Sequence, residues 1–155
     1  MSDRAYARSM DARQALADMV MKSMNVVHKS ALALSGGRLG RDVMGMTAVE
    51  LHTTGRTSGK RRSAMLTAPV YEPDRVVLVA SKGGDDRDPD WYRNLVADPD
   101  VELTVAGTTR PMLAHTADAT ERAELWPVVV KAYDGYGDYQ RRTTRQIPVV
   151  VLTPR

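Results

Sequence analysis

Two glycine-rich loops carry most of the residues with the chemistry to bind or transform a ligand. Residues 55–62 read Gly-Arg-Thr-Ser-Gly-Lys-Arg-Arg, and residues 80–84 read Ala-Ser-Lys-Gly-Gly. The first loop holds four cations and no acid. Backbone N–H groups in such turns converge on anions, and lysine or arginine adds charge-assisted hydrogen bonds. If the fold sets the two loops side by side, they form a cradle for a small anionic ligand.

Several familiar catalytic motifs are absent from the sequence. Residues 55–60 are one residue short of a P-loop, and Arg61 stands where that motif has serine or threonine. His28, His52 and His115 are isolated, which predicts no metal site. No Gly-x-Ser-x-Gly elbow supplies a hydrolase nucleophile. A cradle without an acid, base or nucleophile favours a hydride-transferring cofactor, which needs orientation and electrostatics more than side-chain chemistry.

The composition is that of an ordinary single domain. The chain has 155 residues, of which 43% are hydrophobic and 26% charged, and this length suits one core. It contains no cysteine, which excludes disulfides and cysteine nucleophiles and fits a reducing cytoplasm. Its net charge of +3 is weak evidence for nucleic acid, and the paired strand aromatics of an RNA-binding barrel are missing. The sequence predicts neither a membrane span nor a signal peptide.

The hydrophobic pattern predicts an α+β fold, with a helix followed by a small closed or half-closed barrel. Apolar residues at helical spacing predict one amphipathic helix within residues 1–34. Turn residues and β-type patterns predict six mostly antiparallel strands at 43–53, 62–71, 75–81, 100–106, 110–116 and 147–152, and inserted helices at 89–97 and 118–133. Pro127 should lie near the start of the second inserted helix or kink it. We expect a single domain over 1–155.

The predicted N-terminal helix has two interpretations. Met10, Met19, Met21 and Met24 lie on or near its apolar face. In the first interpretation the helix packs on the domain. In the second it touches a membrane surface or closes over an apolar substrate, because methionine-bearing amphipathic helices adapt to such surfaces.

Three ordered segments resemble one known family. Their matching residues are Thr53-Thr54-Gly55-Arg56, Ser58-Gly59 and Arg62, then Val79-Ala80-Ser81-Lys82-Gly83-Gly84, then Pro89, Trp91-Tyr92 and Asn94-Leu95. With residues 35–40, 133–140 and 145–148, they resemble the deazaflavin-dependent nitroreductase family, which uses 8-hydroxy-5-deazaflavin, coenzyme F420. The resemblance implies a deazaflavin-binding split β-barrel over 35–155. It also implies two-electron hydride transfer to quinones, activated enones or nitroaromatics.

The resemblance further implies which residues bind the cofactor. The cofactor's tail carries a phosphodiester and carboxylates, so Arg56, Lys60 and Arg62 are assigned to it, with Ser58 and the Gly59 amide as neutral donors. The other implied contacts are the strand edge Ala64-Met65-Leu66, the loop residues Ser81, Lys82 and Gly83, and the walls Trp91 and Asn94. Trp91 equally fits packing in the core, since tryptophan does both.

A cluster of tyrosines predicts the substrate side of the site. Two glycines interleave with Tyr133, Tyr136 and Tyr139, which predicts a bent, mobile segment that closes as a lid over the substrate. A phenol of Tyr133 or Tyr136, or the hydroxyl of Ser81, could then donate a proton or hydrogen bond to the developing oxyanion. The alternative is a surface loop whose tyrosines pack on the core.

The chain departs from the family pattern at two places. Thr57 stands where relatives often carry a second cation, and residues 63–65 read Ser-Ala-Met where relatives often have an Asn-Pro-Leu-like stretch. These changes bear on tail binding and ring stacking. Two alternatives stay open: an FMN-dependent oxidoreductase on the same barrel, and a module that holds the deazaflavin or a lipid-like molecule without turnover. The expected partner is a small-molecule electron acceptor, and the expected state is a cytoplasmic monomer or weak dimer.

Overall fold

The computed structural model describes residues 15, 16, 19 and 42–155. The three described N-terminal positions are helical, and Leu16 and Met19 are exposed. The rest of the predicted helix over 1–34, its proposed membrane or substrate role, and the motif at 35–40 lie outside the described residues.

Eight strands form one antiparallel sheet in the described part of the chain. They are β1 (Asp42–Val43), β2 (Met46–Thr54), β3 (Arg61–Ala68), β4 (Val70–Tyr71), β5 (Val76–Val79), β6 (Asp100–Val105), β7 (Thr108–Thr116) and β8 (Val149–Pro154). The strand order is β1-β2-β6-β7-β8-β5-β4, and β3 pairs with β2 along its whole length. The sheet curls so that β3 approaches β5. This is the half-closed barrel that the turn pattern predicted.

About six strands were predicted, and eight form because two of the predicted strands are interrupted. The predicted strand at 43–53 is broken by a turn at Met44 and Gly45, which both have positive φ angles, so it forms the β1–β2 hairpin. The predicted strand at 62–71 is broken at Pro69. Proline has no backbone N–H to donate to a neighbouring strand, so pairing stops there and resumes in β4.

The core lies on both faces of the central strands. In β5, Val76 and Leu78 point into the barrel interior, whereas Val77 and Val79 belong to a second apolar cluster beneath two helices. All four residues are buried, and β8 alternates in the same way. The prediction that β5 is buried on both faces is confirmed, since side chains alternate faces along a strand.

Three helices complete the described fold: α1 (Asp90–Ala97), α2 (Ala119–Ala132) and α3 (Gly135–Arg142). Asp118 caps α2 as predicted, because its carboxylate accepts a hydrogen bond from the Glu121 amide at 2.9 Å. Pro127 lies within α2, not near its start.

Tyr133 ends α2 with an extended backbone, and Tyr136 and Tyr139 lie in α3, so the tyrosine segment is mostly helical and is broken only at the junction of the two helices. Gly135 is buried, and a Cβ at this position would lie 2.3 Å from the Tyr133 ring. This glycine therefore serves close packing and not flexibility.

Candidate functional site

The first glycine-rich loop is a tight turn closed by its own backbone. The Gly55 amide donates to the Lys60 carbonyl at 2.8 Å, and the Gly59 amide donates to the Gly55 carbonyl at 2.7 Å. Gly55 has no room for a Cβ, which would lie 2.6 Å from the Ser58 hydroxyl oxygen. The Gly59 amide, predicted to donate to a ligand, is already used inside the turn. Gly59 instead supplies the positive φ of +65° that the turn requires.

The cations of this loop have different surroundings. Arg62 is exposed and donates to the Ser58 hydroxyl oxygen at 3.3 Å. Lys60 is exposed and no acidic side chain of the described residues pairs with it. Arg61 points elsewhere and forms an ion pair of 2.6 Å with Glu102 on β6. Lys60 and Arg62 are therefore the cations that the loop offers to an anion, and Ser58 still has an O–H to donate.

Arg56 is held against helix α1. Its backbone N–H and its guanidinium both donate to the Asn94 side-chain oxygen at 3.1 Å, and the guanidinium also lies 3.4 Å from the Asp90 carboxylate. The Asn94 amide nitrogen in turn donates to the Thr53 hydroxyl at 3.2 Å. Asn94 is only 5% exposed and orients Arg56 through these bonds. Its role as a wall of the ligand site stays a prediction.

Strand β3 connects this cationic loop to the rest of the site. Ala64, Met65 and Leu66 are half-buried, and β3 pairs with no strand other than β2 in the described sheet. Leu66 packs on the barrel core beside Trp91 of α1, which is also half-buried. The strand edge predicted to lie along a planar ring is therefore exposed at the surface. Trp91 both packs on the core and stays partly accessible.

The second glycine-rich loop adopts a left-handed backbone. Lys82, Gly83 and Gly84 have φ angles of +45°, +65° and +84°. At Gly84 a Cβ would lie 2.8 Å from the Tyr139 carbonyl oxygen, so the loop packs closely on α3. The Lys82 side chain is 14% exposed, and its Nζ lies 4.0 Å from the Asp85 carboxylate.

Asp85 is itself held by another cation. The Arg87 side chain and backbone both donate to its carboxylate, and these bonds lower the pKa of Asp85 below its ordinary value. Asp85 thus stays ionised beside Lys82, and it keeps a negative charge at the base of the loop.

Three tyrosines form an edge-to-face cluster at the far end of β3. The Tyr133 and Tyr136 ring centroids are 5.4 Å apart, and Tyr139 lies 6.3 and 6.2 Å from them. Tyr136 is 5% exposed, and its hydroxyl lies 3.3 Å from that of Thr67. Burial raises the pKa of Tyr136, and a hydrogen bond with Tyr133 raises the pKa of Tyr139. Sequence reasoning missed Thr67, since only the pairing of elements reveals it.

Strand β3 joins the cationic loop to the tyrosine cluster. Arg62, at the cationic loop, and Thr67, at the tyrosine cluster, are five residues apart on β3, or about 17 Å along an extended strand. The Lys82 loop packs on α3, and α1 begins at Asp90 beside Arg56. The first loop thus continues directly into β3, whereas the second packs on α3, whose Tyr136 hydroxyl lies 3.3 Å from that of Thr67 on β3. Ser81 is half-buried in the second loop.

The part of the chain that the structure describes contains neither a metal-binding cluster nor a membrane-spanning helix. No cluster of three or more histidine, cysteine, aspartate or glutamate side chains there is arranged to hold a metal ion. Among the same residues, no helix is both long and apolar enough to cross a membrane.

Several known proteins resemble this chain in sequence and in fold. The model of the F420H(2)-dependent quinone reductase family matches residues 25–154. An F420H(2)-dependent quinone reductase of Mycobacterium tuberculosis (strain ATCC 25618 / H37Rv) is 40% identical over 136 residues, which cover 83% of this chain and 89% of that protein.

Solved structures agree with this match. A structure described as an F420-H2 dependent reductase, FDR-A, is 39% identical with a TM-score of 0.61, and the match covers 68% of this chain and 92% of that one. A second, described as a domain-swapped dimer, is 33% identical with a TM-score of 0.65 and covers 87% and 97%. The predicted α+β split barrel is confirmed by these neighbours. On the family match and this identity, the chain belongs to the F420H(2)-dependent quinone reductase family.

Proposed function

We propose that this protein binds reduced F420 along β3 and reduces quinones. Membership of the family makes it an F420H2-dependent oxidoreductase. We propose here which of its residues bind the cofactor and the electron acceptor. The observation that carries it is that β3, whose second edge is unpaired in the described sheet, separates the exposed cations at Lys60 and Arg62 from the tyrosine cluster at Thr67. A long ligand with an anionic tail and a planar ring matches that separation.

The cationic end fits the tail of the cofactor. Lys60 and Arg62 are exposed cations, and Ser58 offers a hydroxyl beside them. Arg56 is oriented by its hydrogen bond to Asn94. To bind an anion it needs to lose only its 3.4 Å contact with the exposed Asp90 carboxylate. Charge-assisted hydrogen bonds of this kind contribute about 1.5–3 kcal/mol each. Lys82 and Gly83 extend the positive surface from the second loop.

The other end fits the ring and the electron acceptor. When bound, reduced F420 supplies a hydride. Ala64, Met65 and Leu66 give a half-buried strand edge against which a planar ring can lie, and Trp91 borders it. Reduction of a quinone takes one hydride and one proton. We assign to the hydroxyls of Tyr133 and Ser81, both on half-buried side chains, the hydrogen bond to the acceptor oxygen as negative charge develops.

Tyr136 has a different part in this proposal. Its hydroxyl is buried against Thr67, so it orients the cluster while Tyr133 and Tyr139 face the acceptor. Activated enones and nitroaromatics are further acceptors that the same arrangement accommodates, because each gains negative charge on oxygen during reduction. A monomer or weak dimer would suffice for the proposed site, since all its residues lie in one chain.

The FMN alternative and the non-catalytic alternative are tested together. Purified protein is titrated with F420 and with FMN, and F420H2 oxidation is followed with quinones, enones and nitroaromatics. We expect selective F420 binding, because FMN lacks the carboxylate tail, and turnover with quinones. Comparable affinity for FMN would overturn the cofactor assignment, and binding without turnover of any acceptor would support a storage module.

Two neighbouring arginines provide a matched pair for the site residues. Arg62→Ala should weaken F420 binding roughly ten- to hundredfold, more at low salt. Lys82→Ala should act similarly. Arg61→Ala removes the same charge one residue away, but Arg61 is paired with Glu102, so its effect should be less than about threefold. Equal effects of the two arginine changes would mean that net charge, and not this site, governs binding.

A further inference from the structure

Arg145 lies beneath the second glycine-rich loop, in the segment between α3 and β8. Its side chain is 15% exposed. Its Nε donates to the Asp85 carbonyl at 2.7 Å, and its Nη1 donates to the Asp88 carboxylate at 2.9 Å. Its Nη2 donates to the carbonyls of Ala80 and Ser81, both at 3.0 Å. All four acceptors belong to residues 80–88, the loop that links β5 to α1.

These bonds hold both ends of the strained part of the loop. Ala80 and Ser81 precede the left-handed residues Lys82–Gly84, and Asp85 follows them. Lys82 is a non-glycine residue with a φ of +45°, a conformation that persists only when the surroundings impose it. A guanidinium can do this because its donors form a rigid planar fork that reaches several acceptors at once.

The support under the loop is itself anchored to α3. The Gln140 amide nitrogen donates to the Arg145 carbonyl at 2.8 Å, and the Arg145 amide donates to the Thr143 hydroxyl oxygen at 3.2 Å. The Thr143 hydroxyl donates to the Asp86 carboxylate at 2.8 Å. Loop and tyrosine helix are therefore connected through one partly buried network of hydrogen bonds.

We propose that Arg145 is a positioning residue that imposes the ligand-binding shape of loop 80–88 and so presents Lys82 and Gly83 to the cofactor. The inference rests on the proposed function of that loop. Arg145 does not contact the cofactor, because its guanidinium donors are directed to protein oxygens. Its effect on binding therefore passes through the loop, and this makes it separable from the effect of Lys82.

A double-mutant cycle tests the proposal. The variants are Arg145→Lys, Lys82→Ala and the double variant, each measured by F420 fluorescence titration and by hydrogen exchange of amides 82–85 without cofactor. Arg110→Lys is the matched control, because Arg110 also donates to a backbone carbonyl, that of Pro73, at 3.3 Å. Pro73 lies in the turn before β5, at the opposite end of that strand from loop 80–88.

We expect Arg145→Lys to weaken F420 binding roughly tenfold and to speed exchange of the loop amides. Lys82→Ala should then cost less than about threefold in the Arg145→Lys background. The KM for F420H2 should rise while kcat with a quinone changes little. Arg110→Lys should alter none of these.

The positioning role of Arg145 and the cofactor-binding role of the loop are contradicted by different results. If Lys82→Ala weakens binding equally in both backgrounds, or if Arg145→Lys leaves the loop amides protected, Arg145 does not position the loop. If Lys82→Ala alone has no effect on F420 binding, the loop assignment in the proposed function is wrong, and the exchange data still decide whether Arg145 holds the loop. If Arg145→Lys does not fold, Asp88→Asn replaces it in the double-mutant cycle. This change weakens the bond between Arg145 and Asp88 at a side chain that is 38% exposed.

Discussion

The hydroxyl of Tyr136 lies 3.3 Å from the hydroxyl of Thr67 and so joins helix α3 to strand β3. This bond ties the tyrosine cluster to the strand on which we place the cofactor ring. Tyr136 is buried, whereas Tyr133 and Tyr139 are half-buried. In the proposed function the three phenols therefore have different tasks, and only the two half-buried ones face the acceptor.

Replacing each phenol by phenylalanine should separate these tasks. Tyr133→Phe should lower the rate of quinone reduction roughly ten- to hundredfold, or about 1.4–2.7 kcal/mol in the barrier, if its hydroxyl aids the developing oxyanion. Tyr136→Phe should instead lower the free energy of unfolding by about 1 kcal/mol, because it removes the bond to Thr67. F420 affinity should change by less than about threefold in either case. Intact turnover with lost affinity in Tyr133→Phe would place that residue in the cofactor site.

Gly135→Ala should move the Tyr133 ring without deleting its hydroxyl. A Cβ at Gly135 would lie 2.3 Å from this ring, which is the far end of a flexible side chain and can turn away. We expect near-normal stability and a changed ranking of quinone acceptors. The control is Gly137→Ala on the same helix, where a Cβ makes ordinary contacts of 3.5 Å and more. It should stabilise α3 by up to about 1 kcal/mol and leave the ranking unchanged. The same ranking in both variants would show that Tyr133 does not touch the acceptor.

The stability of the protein should fall in alkali through Tyr136. Burial raises the pKa of this phenol above the ordinary value of 10.0. Because its pKa is higher in the folded state, the stabilising contribution is fully present below about pH 10 and is lost as the pH rises through the folded pKa. Denaturant unfolding between about pH 9 and 11 should show a steeper loss for the wild type than for Tyr136→Phe. Identical slopes would assign the alkaline loss to other groups.

The sequence predicted the elements that periodicity and turn residues determine, and it failed where packing decides. The buried strand β5, the capped start of α2 at Asp118 and the split barrel were predicted and are confirmed. The glycine spacing in the tyrosine segment suggested mobility. Gly135 actually serves close contact with a ring, which only three-dimensional packing reveals.

In the candidate site, too, the sequence indicated the residue types but not their contacts. Residue types identified the cationic loop, but not which cations are already paired. The family pattern singled out Arg62, but only the structure shows that the neighbouring Arg61 is paired with Glu102 on β6. Asn94 and Arg145 were part of the recognised motifs, yet their supporting roles depend on hydrogen bonds to residues far along the chain. The binding roles of the loops stay predictions.

Asp90 should oppose cofactor binding by holding Arg56. Its carboxylate lies 3.4 Å from the Arg56 guanidinium, and its side chain is 81% exposed, so the pair contributes at most about 1 kcal/mol. An anionic tail must compete with this carboxylate. Asp90→Asn should therefore tighten F420 binding about two- to fivefold at low salt, with a smaller gain at high salt. The same change removes a negative charge from the first turn of α1 and should cost about 0.3–1 kcal/mol of stability. Fluorescence titration at two salt concentrations and thermal unfolding measure both effects.

Asp74→Asn, at the opposite end of β5 from the second loop, removes the same charge as a control and should leave affinity unchanged. If Asp90→Asn binds F420 no better than Asp74→Asn, Arg56 does not reach the anionic tail.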